Sequence, residues 1–218
     1  MCGRYAVDPR KLERLVRLLS LPEPKFAARF DIHPSQTVPV IRDAGNGPEW
    51  VMMRWGLVPH WAKEAKNPYS TFNARVETAA QKPVFRDPWK HRRCIIRPRA
   101  SMSGGIQGRA RNSPGTSTAP MVRLWPCRRQ ALAGLWDHWT DGNETLDSCT
   151  ILVGSPDQAV AGIHDRSPVL LGDAALPLWI SPALRATDIH RVIEMPHTGL
   201  KAQRVSRVAD DGLHPLTA

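Results

Sequence analysis

The chain has 218 residues, 42% hydrophobic and 23% charged, with 30 Lys plus Arg against 20 Asp plus Glu and a formal net charge of +10. Such a composition fits one soluble globular domain over 1–218, large enough to bury a core without staples. It holds no apolar run long enough to span a membrane and no secretory signal, and the cytoplasm is the expected compartment.

In chain order, Pro9 to Leu21 reads as an amphipathic helix, with Leu12, Leu15, Val16, Leu18 and Leu19 at helical spacing and Pro22 and Pro24 ending it. Thr37 to Ile41 reads as a short strand, in which Pro39 points to an edge or a bulge. Trp50 to Trp55 is a second strand, followed by the turn-rich stretch 56–68. Phe72 to Ala80 is compact and polar. Arg92 to Ile96, Ala131 to Trp136 and Cys149 to Val153 read as further strands, and Ser181 to Ala186 and Thr187 to Ile193 as short helical pieces. Between them, residues 97–129 are rich in Arg, Pro, Ser and Gly and contain no acid, the composition of a loop without regular structure. A loop of that length inside a compact domain needs an explanation.

Four stretches carry chemistry. The first is MCGR at the start. Removal of Met1 would leave Cys2 with a free α-amine, of ordinary pKa about 7.7–8.0, beside its thiol. A neutral amine adds to an aldehyde to give a Schiff base, and the neighbouring thiol can close on the same carbon as a thiazolidine. An internal cysteine cannot do this; the plain alternative is a Cys that happens to follow Met. The second stretch is Phe72 to Thr78, FNARVET, where Asn73 can orient an oxygen and Arg75 can grip a phosphate through its fork, or both can belong to a turn. The third is Gly162 to Pro168, GIHDRSP, where His164 can shuttle a proton and Arg166 can hold a phosphate, or His164 can be structural. The fourth is RWGLVPHW, residues 54–61. Trp55 reads as core there, and Trp61, after the turn, as a stacking surface for unpaired bases. Cys2, Cys94, Cys127 and Cys149 form no CxxC pair, and with the His residues they show no ligand spacing, so neither a metal nor another cofactor is expected.

MCGRY, RWGLVPHW, FNARVET, FRDPWKHRRCII, LAGLWDHW, CTILV and IHDRSPVLL, in this order over residues 1–96 and about 130–180, resemble the SRAP family, the SOS response-associated peptidases or abasic site processing proteins. The resemblance implies an α+β fold: a strongly twisted, mostly antiparallel, partly closed β core with short helices outside. It also implies binding of single-stranded DNA, often at a junction with duplex, and capture of the ring-opened aldehyde of an abasic site by Cys2. Asn73 would then hold the open sugar, and His164 would act as acid and base in ring opening and crosslink reversal. Arg4, Arg75 and Arg166 would grip phosphates beside the lesion. A monomer associated with the nucleoid through DNA is expected. Two other readings stay open. One is a cysteine peptidase with Cys2 and His164 as nucleophile and base, including self-removal of Met1 or lyase-like chemistry. The other is a DNA-binding module of low reactivity.

One departure stands out. Members of the family follow RRCLI with a segment like PASGFYEW, whose Glu belongs to the active site, whereas Cys94-Ile95-Ile96 is followed here by RPRASMSGG. With codons GCT, TCT, ATG and AGT for Ala100 to Ser103, the same bases read out of frame spell Phe-Tyr-Glu-Trp across Ala100 to Gly104. A frame slip that recovers near Gln130 therefore accounts for the acid-free stretch. Its seven Arg also inflate the charge, which without them falls from +10 to +3. Resequencing the gene tests this reading: a clean single frame through the region, in independent reads, contradicts it.

Overall fold

Five apolar stretches close on one another in the computed structural model, which describes residues 3–65, 70–98, 100–104, 121–125, 131–158, 161 and 164–205. The chain opens with β1 (Arg4–Val7), a 3-10 turn at Pro9–Lys11 and α1 (Glu13–Leu18), then β2 (Arg29–Ile32), β3 (Thr37–Asp43) and β4 (Pro48–Trp55). After a long loop come β5 (Asn73–Arg75), α2 (Val76–Ala79), α3 (Pro83–His91), β6 (Arg93–Ile96), β7 (Ala100–Gly104) and β8 (Met121–Trp125). The last part holds β9 (Ala131–Thr140), β10 (Thr145–Gly154), β11 (Ser167–Pro168), β12 (Leu170–Leu171), α4 (Ala175–Ile180), α5 (Ile189–Ile193) and β13 (Lys201–Val205).

β10 pairs in parallel with β4, and the pairs β4–β3, β3–β6, β6–β9 and β9–β10 are antiparallel. That circuit returns to its start, so the five strands form a closed barrel and expose no edge. A second, antiparallel sheet runs in the order β13-β8-β7-β1-β2. The expected α+β class and the mostly antiparallel core are both found. Among the described residues no helix is long and apolar enough to cross a membrane.

Side chains of alternate strand positions fill two cores. One, with Tyr5, Val40, Met53, Trp55, Cys94, Ile96, Cys149 and Ile151, lies between the barrel strands and β1. The other, with Ile41, Ile95, Leu135, Leu152 and the apolar faces of α1, α3, α4 and α5, covers the barrel's other side. Arg93 joins strand to helices: 2% exposed, it donates to the carbonyls of Trp89 (3.1 Å) and Lys90 (2.6 Å) at the end of α3, and of Trp179 (3.0 Å) and Ser181 (3.0 Å) at the end of α4. It thereby satisfies carbonyls that helix ends leave without partners.

Several sequence expectations need correcting. The helix from Pro9 to Leu21 is split, because Asp8 caps a separate 3-10 turn through the Arg10 N–H (3.2 Å) and Ser20 ends α1 at φ 50°. β3 is an inner strand, not an edge; Pro39 is tolerated because β6 pairs with it only at Ile41 and Arg42. Ser181 to Ala186 is not a helix: α4 ends before it, and the next 3-10 turn is Ala186–Asp188. The structureless reading of 97–129 fails at 100–104 and 121–125, which are β7 and β8; 105–120 and 126–129 lie outside the described residues. Acid-free composition did not prevent pairing, because β1 offers β7 a row of backbone partners at Arg4, Tyr5 and Ala6.

Barrel closure depends on a small residue in β9. A Cβ at Gly134 would sit 2.9 Å from Cys94 Sγ, 2.9 Å from Ile96 Cδ1 and 2.9 Å from the Thr150 carbonyl oxygen. The last is backbone and cannot turn aside. Gly134→Ala should lower stability by about 1–3 kcal/mol through overpacking, read as an earlier urea midpoint. A midpoint equal to that of the parent chain contradicts this.

Candidate active site

The site begins with an aromatic stack. Trp55, at the end of β4, is fully buried and donates its indole N–H to the Phe72 carbonyl at 2.8 Å. Its ring meets Tyr5 edge-on at 5.1 Å and Phe72 at 5.8 Å. Trp55 is thus a core residue, as the sequence suggests. Tyr5 lies in β1, three residues after Cys2, and Phe72 directly precedes Asn73. The stack therefore fixes the amino-terminal strand against the strand that begins the NARVET segment. Cys2 itself lies outside the described residues.

β10 brings the other two motifs together. Asn73, Ala74 and Arg75 of β5 pair with Ile151, Leu152 and Val153, and Ser167 and Pro168 of β11 pair with Gly154 and Val153. Both motifs thus flank the same end of one strand. Glu77, in the first turn of α2, completes the junction by accepting from Arg166 Nη1 at 2.7 Å. Asn73 is half-buried, and Arg75 is exposed and without a partner among the described residues.

The His164 side chain is 19% exposed. Its Nδ1 lies 3.2 Å from the Arg166 backbone N–H and 2.7 Å from Asp165 Oδ1. Burial, and then the positive charge of the chain's amino terminus, push its pKa below the usual 6.5, while Asp165 opposes them. At neutral pH the imidazole is therefore uncharged. Nδ1 then accepts from the Arg166 N–H, leaving the proton on Nε2, and protonation turns Nδ1 toward Asp165. One ring can thus give or take a proton with both states held by neighbours.

The remaining sequence candidates fall in two places. Arg4 is engaged by Asp31 at 3.0 Å and by His33 at 3.2 Å, so it stands at the base of β1 already paired. Trp61 is 55% exposed, on a loop closed by the Leu57 N–H to Thr71 carbonyl bond at 3.4 Å. That loop leans toward the β9–β10 hairpin. The His60 N–H reaches Asp137, and the Ala62 carbonyl accepts from Trp139 at 2.7 Å. On β10 these levels correspond to Ser148 and Leu146, against Ile151 for Asn73. Trp61 is thus set off from the Asn73 level by about 10–16 Å along the strand. β7 lies directly beside β1, with Met102 opposite Arg4. The segment in which the family resemblance places its Glu therefore runs next to the amino terminus, and here it carries no acid. Sequence reasoning missed Glu77 as the partner of Arg166; the signal was there, an acid two residues after Arg75 in a chain with few acids.

A closed barrel with a second antiparallel sheet and short helices outside, carrying the Asn73–Arg75 and Ser167–Pro168 strands at one end of β10, defines the class as α+β. Comparison makes the class definite. The chain belongs to the SOS response associated peptidase (SRAP) family, which it matches over residues 1–210. It is 32% identical to Abasic site processing protein YobE of Bacillus subtilis, covering 96% of each chain, and 30% identical to Abasic site processing protein YoqW of the same organism, over 96% of this chain and 94% of the other. A mouse relative, Abasic site processing protein HMCES, is 26% identical over 72% of this chain and 54% of its own. A solved structure from Bordetella bronchiseptica superposes with a TM-score of 0.76 at 25% identity, over 94% of this chain and 100% of that one.

The lowered pKa of His164 has a consequence for stability. As pH falls below about 6.5 the unfolded chain binds a proton at this site before the folded chain does, so folding stability drops through that range and levels off below the folded pKa. His164→Asn should lose less Tm than the parent between about pH 7.5 and 5. An equal loss in both proteins contradicts the assignment.

Proposed function

We propose that this protein binds single-stranded DNA and captures abasic sites by a covalent bond to Cys2. The observation that supports the reading is a chain of contacts: Tyr5 of β1 packs on Trp55, whose indole holds the carbonyl before Asn73, and β5 and the segment after His164 meet at the end of β10, where Arg166 pairs with Glu77. Membership of the family and the printed names of its relatives support the same chemistry.

In this mechanism the C1 hydroxyl gives up its proton as the bond from C1 to the ring oxygen breaks, which leaves the aldehyde, and His164 delivers a proton to the former ring oxygen, which becomes a hydroxyl. The neutral α-amine of Cys2 adds to the aldehyde carbon, and the carbonyl oxygen leaves as water. The thiol sulfur then closes on the same carbon, and its proton passes to the former imine nitrogen, which becomes the ring N–H of the thiazolidine. Asn73 orients the opened sugar by hydrogen bonding. Arg75 and Arg166 hold flanking phosphates, with Glu77 fixing the angle of the Arg166 fork. Arg4 is less available, because reaching DNA requires it to exchange Asp31 for a phosphate. Binding of this kind releases counterions and weakens with salt.

Cys2→Ala and amine acetylation should each abolish the covalent band formed with abasic single-stranded DNA. A band surviving either change overturns the mechanism. The acid missing beside β1 predicts a gain: Met102→Glu or Ser103→Glu should raise the crosslinking rate by roughly 100-fold, the lower end of what a placed general acid supplies. If neither variant is faster than the parent, the carboxylate's role is contradicted.

A further inference from the structure

We infer that Asp137, Ser148 and Trp139 are positioning residues for DNA binding: they clamp the backbone on both sides of Trp61 and so hold its indole in solvent as a preformed stacking face for an unpaired base. The inference rests on the DNA-binding reading above. It starts from where the chain goes after β4. Gly56 has a φ of 131°, a conformation that a side chain rarely allows, and its N–H donates to the Cys149 carbonyl at 2.9 Å. There the chain leaves the barrel strand and runs along the β9–β10 hairpin.

Three side chains of that hairpin receive it. Asp137 and Ser148 stand opposite each other, and Trp139 is two positions further along β9, so all three point to one face. Ser148 is fully buried; its Oγ accepts the Val58 N–H at 2.8 Å and donates to the Val58 carbonyl at 3.3 Å. Asp137 is 1% exposed, and its Oδ2 accepts the His60 N–H at 3.0 Å. Trp139 Nε1 donates to the Ala62 carbonyl at 2.7 Å. The backbone is thus held at every second residue, 58, 60 and 62. Trp61, 55% exposed, lies between two of these ties.

The arrangement needs an acid at position 137. Its Oδ2 also lies 3.1 Å from His60 Nδ1, while Oδ1 accepts the His138 N–H at 2.8 Å and pairs with Arg92 Nε at 3.0 Å. Both oxygens therefore face backbone N–H donors. A carboxylate accepts on both sides, whereas an Asn amide accepts on one and sets its own NH2 against a donor on the other. Arg92 is itself bound to Asp87 of α3, which fixes the carboxylate from behind. The clamp bears on affinity because a loose loop must be ordered when a base stacks on it, and that entropy is subtracted from the stacking energy. Here the loop is ordered on folding, before DNA arrives.

The test uses the full chain and a labelled oligo-thymidylate without lesions, so that no covalent step interferes. In anisotropy titrations Trp61→Ala should weaken binding by roughly 5- to 150-fold, the range of one stacked base. Asp137→Asn and Ser148→Ala should each weaken it by roughly 2- to 10-fold, the worth of one hydrogen bond that binding must now re-form. In the Trp61→Ala background neither should weaken it further. The slope of log affinity against log salt should stay that of the parent, because no phosphate contact is lost. A purely electrostatic role for Asp137 predicts the opposite sign, since losing an acid tightens binding to a polyanion. If Asp137→Asn fails to fold, Ser148→Ala decides, as it removes one oxygen and no charge. Tighter binding by Asp137→Asn, equal weakening with and without Trp61, a changed salt slope, or a Trp61→Ala that binds like the parent overturns this inference alone. A parent that does not bind overturns the DNA-binding reading together with it.

Discussion

The packing of Trp55 is the constraint on which the rest of the site depends. One indole closes three relations at once: it ends β4 inside the barrel, stacks edge-on against Tyr5 of β1, and donates to the carbonyl before Asn73. Under the proposed mechanism the nucleophile precedes the first strand, so its position follows from how that strand packs. Here that strand is β1, and the Tyr5 to Trp55 contact holds it to the barrel core. Removing the indole would leave an unfilled volume and an unpaired carbonyl at the same point, and the two costs would compound.

From that point β10 distributes function along its length. Its later residues carry β5 on one side and β11 on the other, which brings the Asn, Arg and His segments together. Its earlier residues, with β9, pin the loop that presents His60 and Trp61. One strand thus spaces the Asn73, Arg75 and His164 segments from the loop that presents His60 and Trp61. The closed barrel makes this spacing rigid, and close approach at Gly134 is what lets β6, β9 and β10 close.

Much of this was legible in the sequence, for physical reasons. Apolar runs such as RCII and CTILV sit on barrel strands, where both faces are covered, so strand positions followed from composition. Four motifs in order identified the family. What could not be read were features that depend on partners distant in sequence. α3 and α4 contain Pro88 and Pro177, which mask a helix, and both are held by Arg93 reaching carbonyls as far away as Ser181. β7 and β8 pair despite a loop-like composition, because β1 and β13 supply the complementary edges. The links of Glu77 to Arg166 and of His60 to Asp137 span 89 and 77 positions, and neither leaves a local pattern.

The central claim is that the α-amine and thiol of Cys2 together capture an abasic aldehyde. Intact mass spectrometry of the protein mixed with abasic single-stranded DNA, followed by peptide mapping, tests it most directly. The account predicts one adduct, lacking Met1, with a mass equal to protein plus oligonucleotide minus one water, mapped to Cys2 and unchanged by borohydride because no imine remains. An adduct that retains Met1, maps to another residue, or gains hydrogen on reduction contradicts it.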